Sequence, residues 1–332
     1  MRVLKFLGIT LLVLIVFLLF IGIFLPDTRQ INQSIVMKAK PEVVFRQVNS
    51  LKNWKNWGPF ELSDPSMKSV YSGPETGADA KHTWTSANKG QGSMLILQSE
   101  PYKFIQSQLE MGSSGKAFDE WTFTQKGDSV EVNWTVKVHN LSYPFGKYFG
   151  AFLGSIMQPM QEKGLKKLKE VVESSPIPVP MDIVQLEEQP SIIVYDSTLY
   201  KNMSEFMQKC MTELMVFMKE SKIQASGPAF TMYENWDTTT YIKMRIGFPV
   251  PDEVKERGVV SYYLRPGGPA LKAVLIGPYE QLNRAHEEIA LYFSEFKLPY
   301  SSLPVWEEYV TDPSKEPDQS KIQTNIFYYI GE

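Results

Sequence analysis

Few side chains in this chain could carry chemistry. It holds one cysteine, Cys210, and three histidines, His82, His139 and His286, far apart in sequence. A single thiol makes no internal disulfide and no redox pair, and the histidine spacing disfavours a metal cluster. No metal and no cofactor is expected. Asp119 and Glu120 are neighbours in a segment of strand character, so they face opposite ways and argue against a paired-carboxylate mechanism. Aromatic and thioether side chains are plentiful, with 7 Trp, 16 Tyr, 19 Phe and 15 Met in 332 residues. Such side chains suit pockets for apolar ligands, and they also fill cores. With 34 basic against 37 acidic residues, no basic block and no basic helix-turn-helix, nucleic acid is not an expected partner.

The elements that would position a site begin with an anchor. Residues 6–25, FLGITLLVLIVFLLFIGIFL, form an uncharged run. About 20 such residues span a bilayer core of about 30 Å. The run exceeds the apolar region of a signal peptide, about 7–15 residues, and no A-x-A-like cleavage site follows. A retained transmembrane helix over residues 1–26 is therefore expected. Arg2 and Lys5 precede it, so the positive-inside rule gives a single-pass cell-membrane protein with a cytoplasmic N-terminus and extracytoplasmic soluble domains. Arg29, Lys38 and Lys40 beyond the helix work against that orientation.

About 300 residues remain after the anchor, enough for two domains. The first, residues 30–174, opens with a strand at 32–39 and a helix led by Pro41 and Glu42. Strand-like segments follow at 81–86, 93–98, 103–109, 119–125 and 129–138, and a long helix over 145–173 closes it. This is the order of a helix-grip fold. The stretch from Lys40-Pro41 to Trp57, the run from Gly77 through Trp84 to Ser86, the set Gly90, Gly92 and Met94, and the closing Gly164 to Lys169 resemble the SRPBCC superfamily. The nearest group is the polyketide cyclase, START-related set. The resemblance implies a curved antiparallel sheet around the long helix, enclosing an apolar cavity. Trp57, Trp84, Trp121, Trp134, Phe152 and Met157 are the candidate lining residues.

A proline-rich linker at 175–181 leads to a second domain at 182–332, which contains an internal repeat. Strand 183–197, helix 202–222 and strands 229–233 and 240–248 form one βαββ unit; strand 270–276, helix 280–296 and strands 305–310 and 321–330 form the other. Tyr200 corresponds to Tyr279, and Tyr233 to Tyr309. The first helix carries a methionine-rich stripe that includes Cys210 and reads as core. The duplication predicts two sheets and two helices about a pseudo-twofold axis, with a groove between the halves. Gly227 to Tyr233, Gly277 to Leu282 and above all WEEYVTDP (Trp306 to Pro313) resemble the GyrI-like, or AraC effector-binding, domain. The resemblance implies a pocket floored by the carboxylate of Glu307, with Tyr309 two residues on and facing the same side. Trp306, Tyr195, Tyr233, Trp236, Tyr263 and Tyr328 are candidate walls. A carboxylate in an apolar pocket is costly unless a cation or hydrogen bond compensates it, so such a site selects a cation, aided by cation–π attraction.

The fold class expected is thus α+β: a transmembrane helix, a helix-grip domain of START/SRPBCC type, and a duplicated βαββ domain of GyrI-like type. The function expected is non-catalytic binding of hydrophobic or aromatic cationic small molecules in two pockets at a lipid bilayer. The alternative is a hydrolase or cyclase in which Glu307 is the general acid/base. A third reading makes both folds scaffolds with filled cavities, and cavity volume separates it from the others.

Overall fold

The computed structural model describes residues 2–64, 66–88, 90–111 and 115–331. The chain separates into two compact units, Met1–Pro178 and Val179–Glu332.

Helix α1 (Arg2–Phe24) opens the first unit. Its 19 residues Phe6–Phe24, with mean hydropathy 3.1, are long and apolar enough to cross a membrane. Seven antiparallel strands follow: β1 (Arg29–Met37), β2 (Lys68–Ser72), β3 (Lys81–Ser86), β4 (Gly90–Glu100), β5 (Phe104–Met111), β6 (Lys116–Lys126) and β7 (Ser129–Val138). They form one sheet in the order β1-β7-β6-β5-β4-β3-β2, so the first strand closes on the last. Helices α2 (Pro41–Asn49) and α3 (Pro59–Ser63) lie between β1 and β2, and α4 (Phe145–Glu173) follows β7. Strand β2 is absent from the sequence expectation because none of its residues is buried, which leaves no apolar alternation to read.

Tryptophan builds the core of this unit. Trp57 packs on Trp54 at 4.4 Å between ring centroids and edge-on against Trp121 at 5.6 Å, and Trp121 stacks on Trp134 at 4.5 Å. Trp84 is buried beside His82, and a Cβ added to Gly92 would come within 2.3 Å of the Trp84 ring. Glycine at 92 is therefore what lets that ring lie flat on the sheet. The C-terminal part of α4 covers the cluster with Leu165, Leu168 and Val172.

These contacts correct the pocket expectation for this unit. Trp57, Trp121 and Trp134 pack on one another and Trp84 on His82, all within one buried core cluster that also includes residues of α2 and α4. A cavity of about 140 Å³ beside Leu51, Tyr71 and Ala80 and an open groove beside Pro159 are lined by none of them. Met157 packs against the core, and Phe152 is exposed on the outer face of α4.

The second unit contains β8 (Met181–Leu186), β9 (Gln189–Leu199), α5 (Met203–Ser221), β10 (Ala229–Tyr233), β11 (Tyr241–Pro249), β12 (Val260–Arg265), β13 (Gly268–Ile276), α6 (Leu282–Phe296), β14 (Val305–Tyr309) and β15 (Gln323–Tyr329). The duplication is visible down to the caps: α5 and α6 both end on a left-handed lysine, Lys222 and Lys297, with φ of 55° and 53°. The two sheets expected are instead one eight-stranded sheet, in the order β12-β9-β11-β10-β14-β15-β13-β8. Each repeat is a ββαββ unit whose first strand crosses to the other half: β8 pairs with β13, and β12 with β9. Exchange of edge strands joins the halves, and β10 and β14 meet at the centre.

Candidate functional site

The centre of that sheet builds the site. Glu307 on β14 stands opposite Thr231 on β10, and Tyr233 stands opposite Val305. Successive side chains alternate across a strand, so Val305, Glu307 and Tyr309 share one face and Trp306 and Glu308 the other. The first face carries the helices. The core under α5 includes Ile242, Met244 and Ile246, and that under α6 includes Leu271, Ala273 and Ile326. The opposite face is closed by Phe230, Met232, Trp306 and Phe327.

Glu307 is 4% exposed and fully engaged. Its Oε2 accepts from the Tyr309 hydroxyl at 2.9 Å and from the Tyr233 hydroxyl at 3.2 Å. Its Oε1 lies 2.9 Å from His286 Nε2, and His286 Nδ1 lies 2.9 Å from the Tyr328 hydroxyl. With the histidine neutral, one tautomer satisfies both contacts: Nε2–H donates to the carboxylate and Nδ1 accepts from Tyr328. Burial first, and then the Glu307 carboxylate, push the Tyr233 and Tyr309 phenols well above the usual range. Tyr328 is pushed up to about 12 by burial, by Tyr300 and by Glu307. All three phenols thus stay neutral donors near pH 7. Tyr233 and Tyr309 solvate the Glu307 carboxylate with hydroxyl dipoles, and Tyr328 is linked to it through His286.

A cavity of about 1020 Å³ opens onto this group. Tyr200 and Tyr279, the residues before the two helices, both line it, as do Tyr233, Trp236, His286, Glu307 and Tyr328. Trp236 meets Tyr233 edge-on at 5.2 Å and Tyr200 at 6.1 Å. The border also carries Glu234, Glu280 and Glu287, so four carboxylates face it against one guanidinium, Arg245. That guanidinium is itself engaged, ion-paired with Glu234 and held 4.7 Å from the Tyr195 ring and 4.8 Å from the Tyr263 ring. The cavity is therefore acidic and aromatic, a combination suited to a cation with aromatic substituents.

The residues singled out in the sequence fall into three groups. Glu307, Tyr309, Tyr233 and Tyr328 come together, with Trp236 and Tyr263 on the cavity border. Tyr195 lies outside it and instead stacks on Arg245, its partner across β9 and β11. Trp306 requires a correction. It is 1% exposed on the opposite face, stacked on Phe327 at 3.9 Å and capped by the Arg265 guanidinium at 3.9 Å. As the neighbour of Glu307 in a strand, it cannot share its face.

His286 is the site residue that sequence reasoning misses. The signal is local: His286 falls four residues after Leu282 and three before Ile289, on the sheet-facing stripe of α6. Its pairing with Glu307 depends on contacts between distant elements, which spacing along one helix does not reveal.

Residues 28–173 match the family model described as polyketide cyclase / dehydrase and lipid transport, and residues 180–329 match the GyrI-like small molecule binding domain. No curated protein matches the chain. Among solved structures the chain is similar to EcmrR in its complex with DNA, at 14% identity and a TM-score of 0.45, over 58% of this chain and 73% of that one. It is similar to SAV2435 bound to tetraphenylphosphonium, at 12% identity and a TM-score of 0.37, over 46% of this chain and 94% of that one. It is also similar to the Aha1 dimer from Colwellia psychrerythraea, at 17% identity and a TM-score of 0.31, over 44% and 96% of the two chains.

Proposed function

From a chain that carries a polyketide cyclase-type domain followed by a GyrI-like small-molecule binding domain, we propose a membrane-held binding protein whose second domain takes an aromatic cation against Glu307. The observation that carries this reading is a buried carboxylate held by two tyrosine hydroxyls and His286 at the edge of an acidic, aromatic cavity. Dipoles offset part of its desolvation, and an incoming cation offsets the rest. An anion would meet four carboxylates, and a neutral ligand would forgo the electrostatic gain. Binding without turnover is the simplest use of such a site. In the first domain Trp57, Trp84, Trp121 and Trp134 belong to the core, and this reading places the aromatic cation in the second.

Helix α1 is the membrane tether in this proposal, with the N-terminus in the cytoplasm and both domains on the far side. The helix is long enough to span, and Arg2 and Lys5 precede it.

One observation favours a second reading. A histidine hydrogen-bonded both to the carboxylate and to a tyrosine is an arrangement that can accept and pass a proton, so His286 and Glu307 could activate water against an electrophilic ligand. Native mass spectrometry of the purified full chain separates the two. Binding predicts an intact co-purified cation that disappears in Glu307→Gln. Catalysis predicts a hydrolysed product that the Gln variant leaves unconverted. An identical ligand profile in wild type and variant would refute both.

A further inference from the structure

Helix α4 has two unlike parts. From Glu162 to Glu173 it alternates charge with buried leucine and valine, as a helix between water and a core should. Over residues 140–161 the chain carries one charged side chain, Lys147. Within that stretch Phe145, Phe149, Phe152 and Ile156, spaced by four, three and four residues, are 85%, 51%, 66% and 50% exposed. The spacing puts them on one helical stripe. A contiguous apolar stripe of this kind on a soluble surface marks an interaction site.

Contacts with α1 identify the occupant. The Tyr143 hydroxyl donates to the carbonyl of Leu19 at 2.8 Å, that of Tyr148 to Leu18 at 2.5 Å, and Lys147 Nζ to Ile23 at 3.3 Å. The rings of Tyr143 and Tyr148 also lie against Gly22. Leu18 is six residues inside the end of α1, a depth of about 9 Å at about 1.5 Å per residue. A helix start attached there cannot stand clear of a bilayer that α1 crosses. Tyrosines at that level and a lysine reaching outward match the residues that populate a membrane interface.

We propose that the first three turns of α4 lie in the lipid interface, seating the helix-grip domain on the bilayer by a second apolar element beside the anchor. The occupant of the stripe is lipid acyl chain. The inference rests on the reading of α1 as a membrane helix, and the test separates the two.

The full chain in a Cys210→Ala background would carry one cysteine at a time, Phe149→Cys, Phe152→Cys, Ile15→Cys or Lys166→Cys, each labelled with nitrobenzoxadiazole. Each would be reconstituted in phosphatidylcholine vesicles with or without brominated acyl chains. Tryptophan emission would check that each variant is folded. The expected result is loss of label fluorescence to brominated lipid at positions 15, 149 and 152, and none at 166. Quenching at 15 without quenching at 149 and 152 overturns the seating of α4 and leaves the anchor standing. A blue-shifted but unquenched label at 149, the mark of a second protein copy over the stripe, also overturns it. No quenching at 15 removes the anchor reading and this inference together.

Discussion

Asp119 offers a quantitative test of whether the interior of the helix-grip domain is filled or hollow. The side chain is 2% exposed among the tryptophans, and its Oδ1 accepts from Trp134 Nε1 at 3.3 Å. Burial pushes its carboxyl up to about 7 from 3.8, with the Trp134 hydrogen bond pulling weakly the other way. Between those two values the folded chain keeps a proton that the unfolded chain releases, so stability falls as pH rises through the window and levels off above it. A shift of about 3 units at about 1.4 kcal/mol each gives a cost of about 4 kcal/mol at pH 8, an upper bound once local relaxation is allowed. Asp119→Asn keeps the shape and the acceptor and removes the charge. Its stability should match wild type at pH 4 and exceed it by about 2–4 kcal/mol at pH 8. Urea unfolding followed by tryptophan emission is the assay, because five of the seven tryptophans lie in the first unit. Comparing variant with wild type cancels the other titrating groups. Parallel pH profiles would show that Asp119 is hydrated, as it would be beside a water- or ligand-filled cavity, and would refute the packed core.

Two further substitutions probe the framework of each domain. Gly92→Ala drives a methyl into the Trp84 ring and toward the Glu110 carbonyl, 2.7 Å from the added Cβ, and should destabilise the first unit by about 1–3 kcal/mol in urea unfolding. Trp306→Ala removes a buried ring from the closed face of the second sheet and should cost about 3–5 kcal/mol of stability. Because that ring faces away from Glu307, the folded variant should keep its affinity for an aromatic cation in calorimetric titration. A large loss of affinity at unchanged fold would return Trp306 to the pocket.

Parts of the site that depend on local periodicity are legible in the sequence. Glu307 and Tyr309 are two apart in a strand, Tyr233 is the repeat equivalent of Tyr309, and the structure brings all three together. The same period-two rule that sets Asp119 and Glu120 on opposite faces also excludes Trp306 from the face of Glu307 and hence from the cavity wall. What local pattern does not carry is pairing across the fold. The exchange of β8 and β12 between the repeats is one such case, although Val260, Tyr262 and Tyr263 give β12 a readable strand composition. The approach of His286 to Glu307 is another. Tryptophan content alone does not distinguish a pocket from a core; that requires the distances between rings, which in the first domain are those of direct packing.

The central claim is that Glu307 gives the second-domain cavity its preference for cations. Its most direct test is isothermal titration calorimetry of the reconstituted full chain, wild type and Glu307→Gln, with tetraphenylphosphonium and with neutral triphenylphosphine oxide. A unit charge about 5 Å from the carboxylate, at an effective dielectric of about 20, gains about 3 kcal/mol. Allowing for residual desolvation, Kd for the cation should weaken roughly thirty- to hundredfold in the variant, while the neutral compound binds both proteins alike. Equal cation affinity in the two proteins, or a wild type that prefers the neutral compound, would contradict the account.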